Sequence, residues 1–301
     1  MEFFTHDGFA NATSIGAGRA PGGLVEHHLS GTDLFCVAAV WIACLGTLHF
    51  ASNRTVGRLA AKLGIKFSNS QLRGIESRVV CGVHCAISAG GAALLLKGRF
   101  VGGVNVFNLH PGVFSRAEAA FVAMEVGELV YMTLYDLWCE PGALELLHHV
   151  LGIVAETSCL LTSSGVSYML WVHLAQATQP FLYFSWILYQ ANMSSSVTCV
   201  ASTLTCIVLW FALRVVSVLL LVRSLWASGI EKGEFASQLH FNVAFAITLA
   251  FAALNIVWFK KMLAKVLKVV IAAKSEPSSA AACSAVKCKA VAHIGAEQKI
   301  E

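Results

Sequence analysis

Charged side chains are scarce in this chain. Asp, Glu, Lys and Arg make up 13% of 301 residues, against 57% hydrophobic ones, and the mean hydropathy is +0.70. That excludes an ordinary soluble domain, in which about a quarter of the residues are charged. A basic segment followed by an apolar core is also missing from the N-terminus, so no cleavable signal is expected and the first apolar span must itself target the chain. No nucleic-acid-binding module is readable, and the net charge of +4 resides in loops beside apolar runs, where it serves topology and attraction to lipid headgroups. Ten cysteines are present, yet eight lie in or at the ends of apolar runs, where Cys behaves as a small hydrophobe rather than as part of a disulfide framework. Cys81, His84 and Cys85 share a helix face by spacing, but no second dithiol pair accompanies them, and no metal is expected.

Long apolar runs fill the rest. Spans are expected at 33–50, 79–96, 118–138, 143–162, 166–189, 197–222 and 239–259, each long enough at about 1.5 Å per residue to cross a core of roughly 30 Å. The third and fourth carry acids that weaken their insertion signal, so six spans is the competing count. Lys and Arg gather between the first two spans (Arg54, Arg58, Lys62, Lys66, Arg73, Arg78) and after the last (Lys260, Lys261, Lys265, Lys268). Positive loops stay cytoplasmic, and only an even number of intervening crossings puts both clusters there, which favours seven spans with the N-terminus outside. Residues 1–32 form a flexible tail and 33–52 an extra N-terminal helix. Residues 263–301 comprise a basic juxtamembrane helix and a disordered tail, and a frayed end of the last span is an equally good reading of the basic part.

Within the oily segments, polar residues recur at helical spacing. Glu145, His149, Gly152 and Glu156 share one face of the fourth span, and Glu125, Glu128, Met132 and Asp136 share one of the third. Counting residues from the cytoplasmic ends puts His49, His84, Asp136, His148, His149 and Gln179 in one layer, with the histidine pair roughly 8 Å from the boundary. Ionisable groups at the centre of a span cost about 2.5–3.5 kcal/mol on insertion scales, so these should face a shared interior. They serve either as interhelical hydrogen-bond glue or as the lining of a cavity for a lipid headgroup or a reacting atom. Arg214 should face that interior too, with Glu156 as a candidate partner.

Five segments in order resemble the TLC-domain family of multi-pass membrane proteins, which includes the ceramide synthases. They are "LRGIESRVVCGVHCAI" with Arg78 and His84, "LVYMTLYDLW" with Asp136, "ELLHHVLGIV" with His148 and His149, "LAQATQPFLYFSWIL" with Gln176, Gln179, Pro180 and Trp186, and "LWFALRVV" with Arg214. The resemblance implies an all-α membrane protein of about seven transmembrane helices, six forming a helical barrel over residues 71–262, usually in the endoplasmic reticulum. In the ceramide synthases the histidine pair belongs to the centre that acylates a sphingoid base from acyl-CoA. This chain departs from that pattern: Gln176 and Gln179 stand where the synthases carry aspartates, Ser185 precedes Trp186 where other branches carry arginine, and Ser-Tyr-x-x-Asn is absent. A glutamine cannot ionise or hold an imidazolium by charge. The resemblance therefore implies a non-synthase branch that binds or senses lipid and contributes to lipid homeostasis, with Arg78, His84, Glu156, Gln176, Gln179, Pro180, Trp186 and Arg214 lining the lipid site. The alternatives are an acyl-CoA-dependent N- or O-acyltransferase using His148, His149 and Asp136, and a sorting receptor or transporter of the early secretory pathway. Expected partners are membrane lipids, with fatty acyl-CoA or a sphingoid base as substrates in the acyltransferase case and no further cofactor. A homo-oligomer is left open.

Overall fold

The computed structural model describes residues 29–103, 114–139, 143–162, 165–227 and 238–275. Among these described residues, seven helical rods follow one another. They are α1 (Gly31–Lys62), α2 (Asn69–Val101), α3 (Arg116–Cys139), α4 (Ala143–Thr162), a fifth rod made of α5 (Val166–Leu174) and α6 (Gln179–Gln190), a sixth made of α7 (Val197–Leu209) and α8 (Ser217–Ala227), and α9 (Gln238–Ser275). Five are long and apolar enough to cross a membrane: α1, α2, α4, the sixth rod, and α9 between Phe241 and Leu267. The other two fall short for reasons visible in their sequences. α3 carries Arg116, Glu118, Glu125, Glu128 and Asp136, and the fifth rod is interrupted by a 3₁₀ turn at Ala175–Thr178.

Local chemistry sets the helix starts. Ser30 and Ser68 open α1 and α2 with capping boxes, in which each hydroxyl accepts from the backbone N–H three residues on and the side chain of Asp33 or Gln71 accepts from the cap N–H. Ser196 caps α7 by accepting from Cys199 N. α1 and α2 extend well beyond the apolar runs into the basic connection, because Arg54, Arg58, Lys62, Arg73 and Arg78 are good helix formers once the headgroup region supplies water. α9 likewise continues unbroken through Lys260, Lys261 and Lys265 to Ser275, so the basic segment prolongs the last helix.

The burial pattern is inverted relative to a soluble protein. Phe35 is 73% exposed and Trp138 is 88% exposed, whereas His84 and Glu125 are 0% and 1% exposed. Apolar side chains outside and ionisable ones inside is the distribution expected where the surrounding solvent is hydrocarbon. α3 crosses α1 at Gly127, where an added Cβ would come within 2.7 Å of Ala38 O, so the missing side chain sets how close the two backbones lie. α3 and α4 pack antiparallel across residues 140–142, with the Leu129 side chain seated on Gly152.

Two helix irregularities face each other. Pro180, in the first turn of α6, has no N–H to give, and the turn before it tightens to 3₁₀ while Gln179 stays in the right-handed helical region. Between α7 and α8 the chain widens to a π turn over Trp210–Val216. Irregular backbone at membrane depth persists where protein groups satisfy the carbonyls it frees. Here Arg214, on the π turn, donates from Nε to Ala175 O at 3.3 Å and to Thr178 Oγ1 at 2.7 Å, both on the 3₁₀ turn.

Candidate functional site

Polar side chains from α1 to α5 meet in a buried chain. Trp41 Nε1 donates to His84 Nδ1 at 3.1 Å, and His84 Nε2 lies 3.0 Å from Glu125 Oε2. An indole N–H can only donate, so Nδ1 is the acceptor, and Nε2 carries the proton given to Glu125. The same Glu125 oxygen is 3.3 Å from His173 Nδ1, whose other ring nitrogen lies 3.4 Å from Glu156 Oε1. Glu128 flanks the chain at 3.9 Å from His84 Nε2. Both His173 contacts fall within ion-pair distance without the alignment of a hydrogen bond, and Glu125 Oε1 and Glu156 Oε2 have no hydrogen-bond partner.

The adjacent histidines of α4 serve different neighbours. His149 Nδ1 lies 3.0 Å from Asp136 Oδ2 on α3, joining the two polar faces that share the third and fourth helices. His148 turns to α9, where its ring meets Phe251 and Trp258 edge-on at centroid distances of 5.0 and 5.4 Å, and its Nδ1 is buried with no hydrogen-bond partner. One imidazole thus lies at ion-pair distance from a carboxylate without the alignment of a hydrogen bond, and the other is held by aromatic walls.

A cavity of about 130 Å³ opens beside His148, between α4, the fifth and sixth rods, and α9. A single water needs only about 10–15 Å³, so this is more than a packing defect. Polar groups gather toward one end: His148 on α4, Arg214 on the π turn and Asn255 on α9. Toward the other end the wall is Leu221, Leu225, Val243 and Met169, with Cys159 and the left-handed Gly165 beyond. Glu156 lines the α4 side between these ends, which links the cavity to the buried chain through His173.

The remaining expected site residues are dispersed around this core. Arg78 lies over the Trp186 ring, 3.7 Å from its centroid, and donates to Gly74 O within its own helix. Gln176 accepts from Cys85 Sγ at 3.0 Å, and Gln179 Oε1 is buried without a hydrogen-bond partner. Cys81 Sγ faces Met132 Sδ at 3.3 Å, so Cys81, His84 and Cys85 engage three different neighbours, and among the described residues no group is arranged to hold a metal. His49 sits apart with Tyr131, Oη to Nδ1 3.0 Å, and its ring lies tilted at 45° to that of Tyr135, 4.8 Å between centroids. The expected single layer is therefore resolved into neighbouring groups: His49 with Tyr131, Asp136 with His149, and His84 with Glu125 and His173.

One expected pairing is corrected. Glu156 is not the partner of Arg214, because His173 stands beside Glu156, while Arg214 is held by Thr178, Ala175 O and Asn255 Oδ1 and lies over Trp210. His173 and Asn255 were the side chains missed. His173 is a lone ionisable residue in the apolar run "YMLWVHLA", and by depth it lies level with Glu125 and Glu156 of the neighbouring spans, which was the signal available.

Apolar helices outside, a buried His–Glu chain inside and a half-polar cavity define a multi-pass helical membrane protein. The TLC domain (TRAM/LAG1/CLN8) matches residues 75–264, well over half the chain, and the chain belongs to that family. No curated protein matches it.

Proposed function

We propose that the chain crosses the bilayer seven times, that α1 stands beside a six-rod bundle, and that this bundle binds or senses a membrane lipid and so contributes to lipid homeostasis, in the endoplasmic reticulum. α3 and the fifth rod complete the seven: Glu125, Asp136 and His173 each lie at ion-pair distance from a residue of another helix, which lowers the cost of placing them in hydrocarbon. The cavity carries the reading. It is apolar along most of its length and polar toward one end, which is the amphipathic division of a lipid molecule. Mass spectrometry of lipids that remain with the purified protein tests it. The expected result is one lipid class enriched over the bulk membrane and displaced by Leu221→Trp, which fills the apolar wall. A retained lipid profile identical to the bulk membrane in both proteins overturns it.

A second reading is favoured by the 3.0 Å contact of Asp136 with His149, next to a histidine that lines the cavity. In an acyl-CoA-dependent acyltransferase, an imidazole of the pair takes the proton of an amine or alcohol acceptor as it attacks the thioester, and the CoA thiol leaves. Gln176 weighs against it, since it is engaged as an acceptor for Cys85 and cannot take up charge. If acylation occurs, His148→Ala or His149→Ala should lower turnover about 10²- to 10⁴-fold in a protein that still inserts. No consumption of acyl-CoA with sphingoid base or other acceptors excludes this reading and leaves the first standing.

A further inference from the structure

Arg214 is a buried cation without a carboxylate. It is 6% exposed, and among the described residues no Asp or Glu lies within ion-pair distance of it. Its Nε is used by Thr178 and Ala175, and Nη1 reaches Asn255 Oδ1 at a long 3.5 Å. No hydrogen bond within the described protein uses Nη2, although a guanidinium presents five N–H donors. The group lines the cavity, as does His148, whose buried Nδ1 also lacks a partner. Leaving a desolvated charge uncompensated is costly, and a second ionic group normally answers it.

From Arg214 the cavity wall continues along the sixth rod through Val218 and Leu221 to Leu225, roughly 16 Å at helical rise. Val243 and Ile247 of α9 face the same space. Glu156, the acid of this cavity, is eight residues beyond His148 on α4, about 12 Å along the helix, and its Oε1 is beside His173. The polar end is therefore basic, and beyond it the wall is mainly apolar, with Glu156 as its one acid.

We propose that this cavity is a binding site for a long-chain fatty-acid anion, with its carboxylate on Arg214 and its tail along α8 and α9. This rests on the lipid-binding reading and names the ligand class. A carboxylate fits because it matches the fork of a guanidinium with two parallel hydrogen bonds and cancels its charge. A neutral ester or alcohol supplies an acceptor and leaves the charge uncompensated. A two-chain phospholipid demands room for a second tail beside the one channel.

Binding of radiolabelled palmitate to the full chain in phosphatidylcholine nanodiscs, in excess over empty nanodiscs, tests the assignment. Palmitate should bind saturably. Hexadecanol and methyl palmitate should compete at least about tenfold less well, the range expected when a hydrogen bond to a charged group is lost. Arg214→Gln should weaken palmitate binding by a similar factor, with Arg214→Lys partly restoring it. If Arg214→Gln does not fold, the competition series on the unaltered protein decides. Equal competition by hexadecanol and palmitate overturns the carboxylate site while leaving lipid binding intact. Phosphatidic acid competing as well as palmitate assigns the site to a phosphate headgroup and overturns the fatty-acid assignment. Binding of neither palmitate nor hexadecanol overturns the fatty-acid assignment, and the lipid-binding reading falls with it only if the purified protein also retains no lipid class above the bulk membrane.

Discussion

Replacing Glu125 should expose how much of the domain depends on one oxygen atom. Its Oε2 is shared by His84 at 3.0 Å and His173 at 3.3 Å, all three residues being almost wholly buried. Glu125→Ala leaves two imidazoles without the carboxylate they share, and removal of one partner from a buried ionic contact costs about 3–5 kcal/mol. Glu125→Gln keeps an acceptor of the same shape and loses the charge, so the expected cost falls to about 1.5–3 kcal/mol, that of a hydrogen bond to a charged group. The stronger statement concerns coupling. His173→Gln combined with Glu125→Gln should be less destabilising than the sum of the single changes, by about 0.5–3 kcal/mol, as for residues in one network. Unfolding of the protein in bicelles by SDS, followed with a thiol-reactive fluorophore, suits this chain because Cys81, Cys85, Cys199 and Cys206 are buried free thiols. Additivity of the two changes within about 0.3–0.5 kcal/mol would show that the residues act independently and would refute the shared-oxygen account.

Two further outcomes check the architecture. In the seven-crossing arrangement a glycan is expected at Asn11, which lies outside the described residues, and none at Asn53 or Asn192. Glycosylation mapping that finds sugar at Asn53, whose amide donates to Glu76, or at Asn192, with none at Asn11, inverts the topology. Gly127→Leu should cost at least about 1–3 kcal/mol, because its Cβ would meet the Ala38 backbone and neither helix can yield as a side chain would. Thermal unfolding unchanged from the parent protein would remove Gly127 from the α1–α3 crossing.

What the sequence disclosed and what it withheld follow from period and depth. The faces Glu145–His149–Gly152–Glu156 and Glu125–Glu128–Met132–Asp136 were legible because helical spacing aligns residues along one helix, and the contact of His149 with Asp136 and the seat of Leu129 on Gly152 follow from laying them antiparallel. Partners across non-adjacent helices were not legible. Depth places Arg214 and Glu156 within reach of each other, but rotation about the helix axes decides contact, and the π turn that carries Arg214 alters its rotation relative to a regular helix. The 3₁₀ turn could be anticipated from Pro180, while the π turn has no proline or glycine to announce it. Hydropathy marks where apolar side chains stop, whereas α1 runs on to Lys62 and α2 already begins at Asn69 behind its Ser68 cap, so the helices are longer than the apolar spans read from the sequence.

Trp41 sits on α1, outside the region matched by the family, yet its indole fixes which nitrogen of His84 holds the proton. The boundary of the inherited domain and the boundary of its chemistry therefore differ. A fragment cut to residues 75–264 would shorten the start of α2 and the end of α9, and without α1 it would be another molecule at its centre. His84 would be free to exchange tautomers, Glu125 would lose a fixed donor, and the small-residue face around Gly127 would lie open to lipid where Ala38 now rests. α1 thus sets, through one indole N–H, the tautomer of a histidine buried among the other helices.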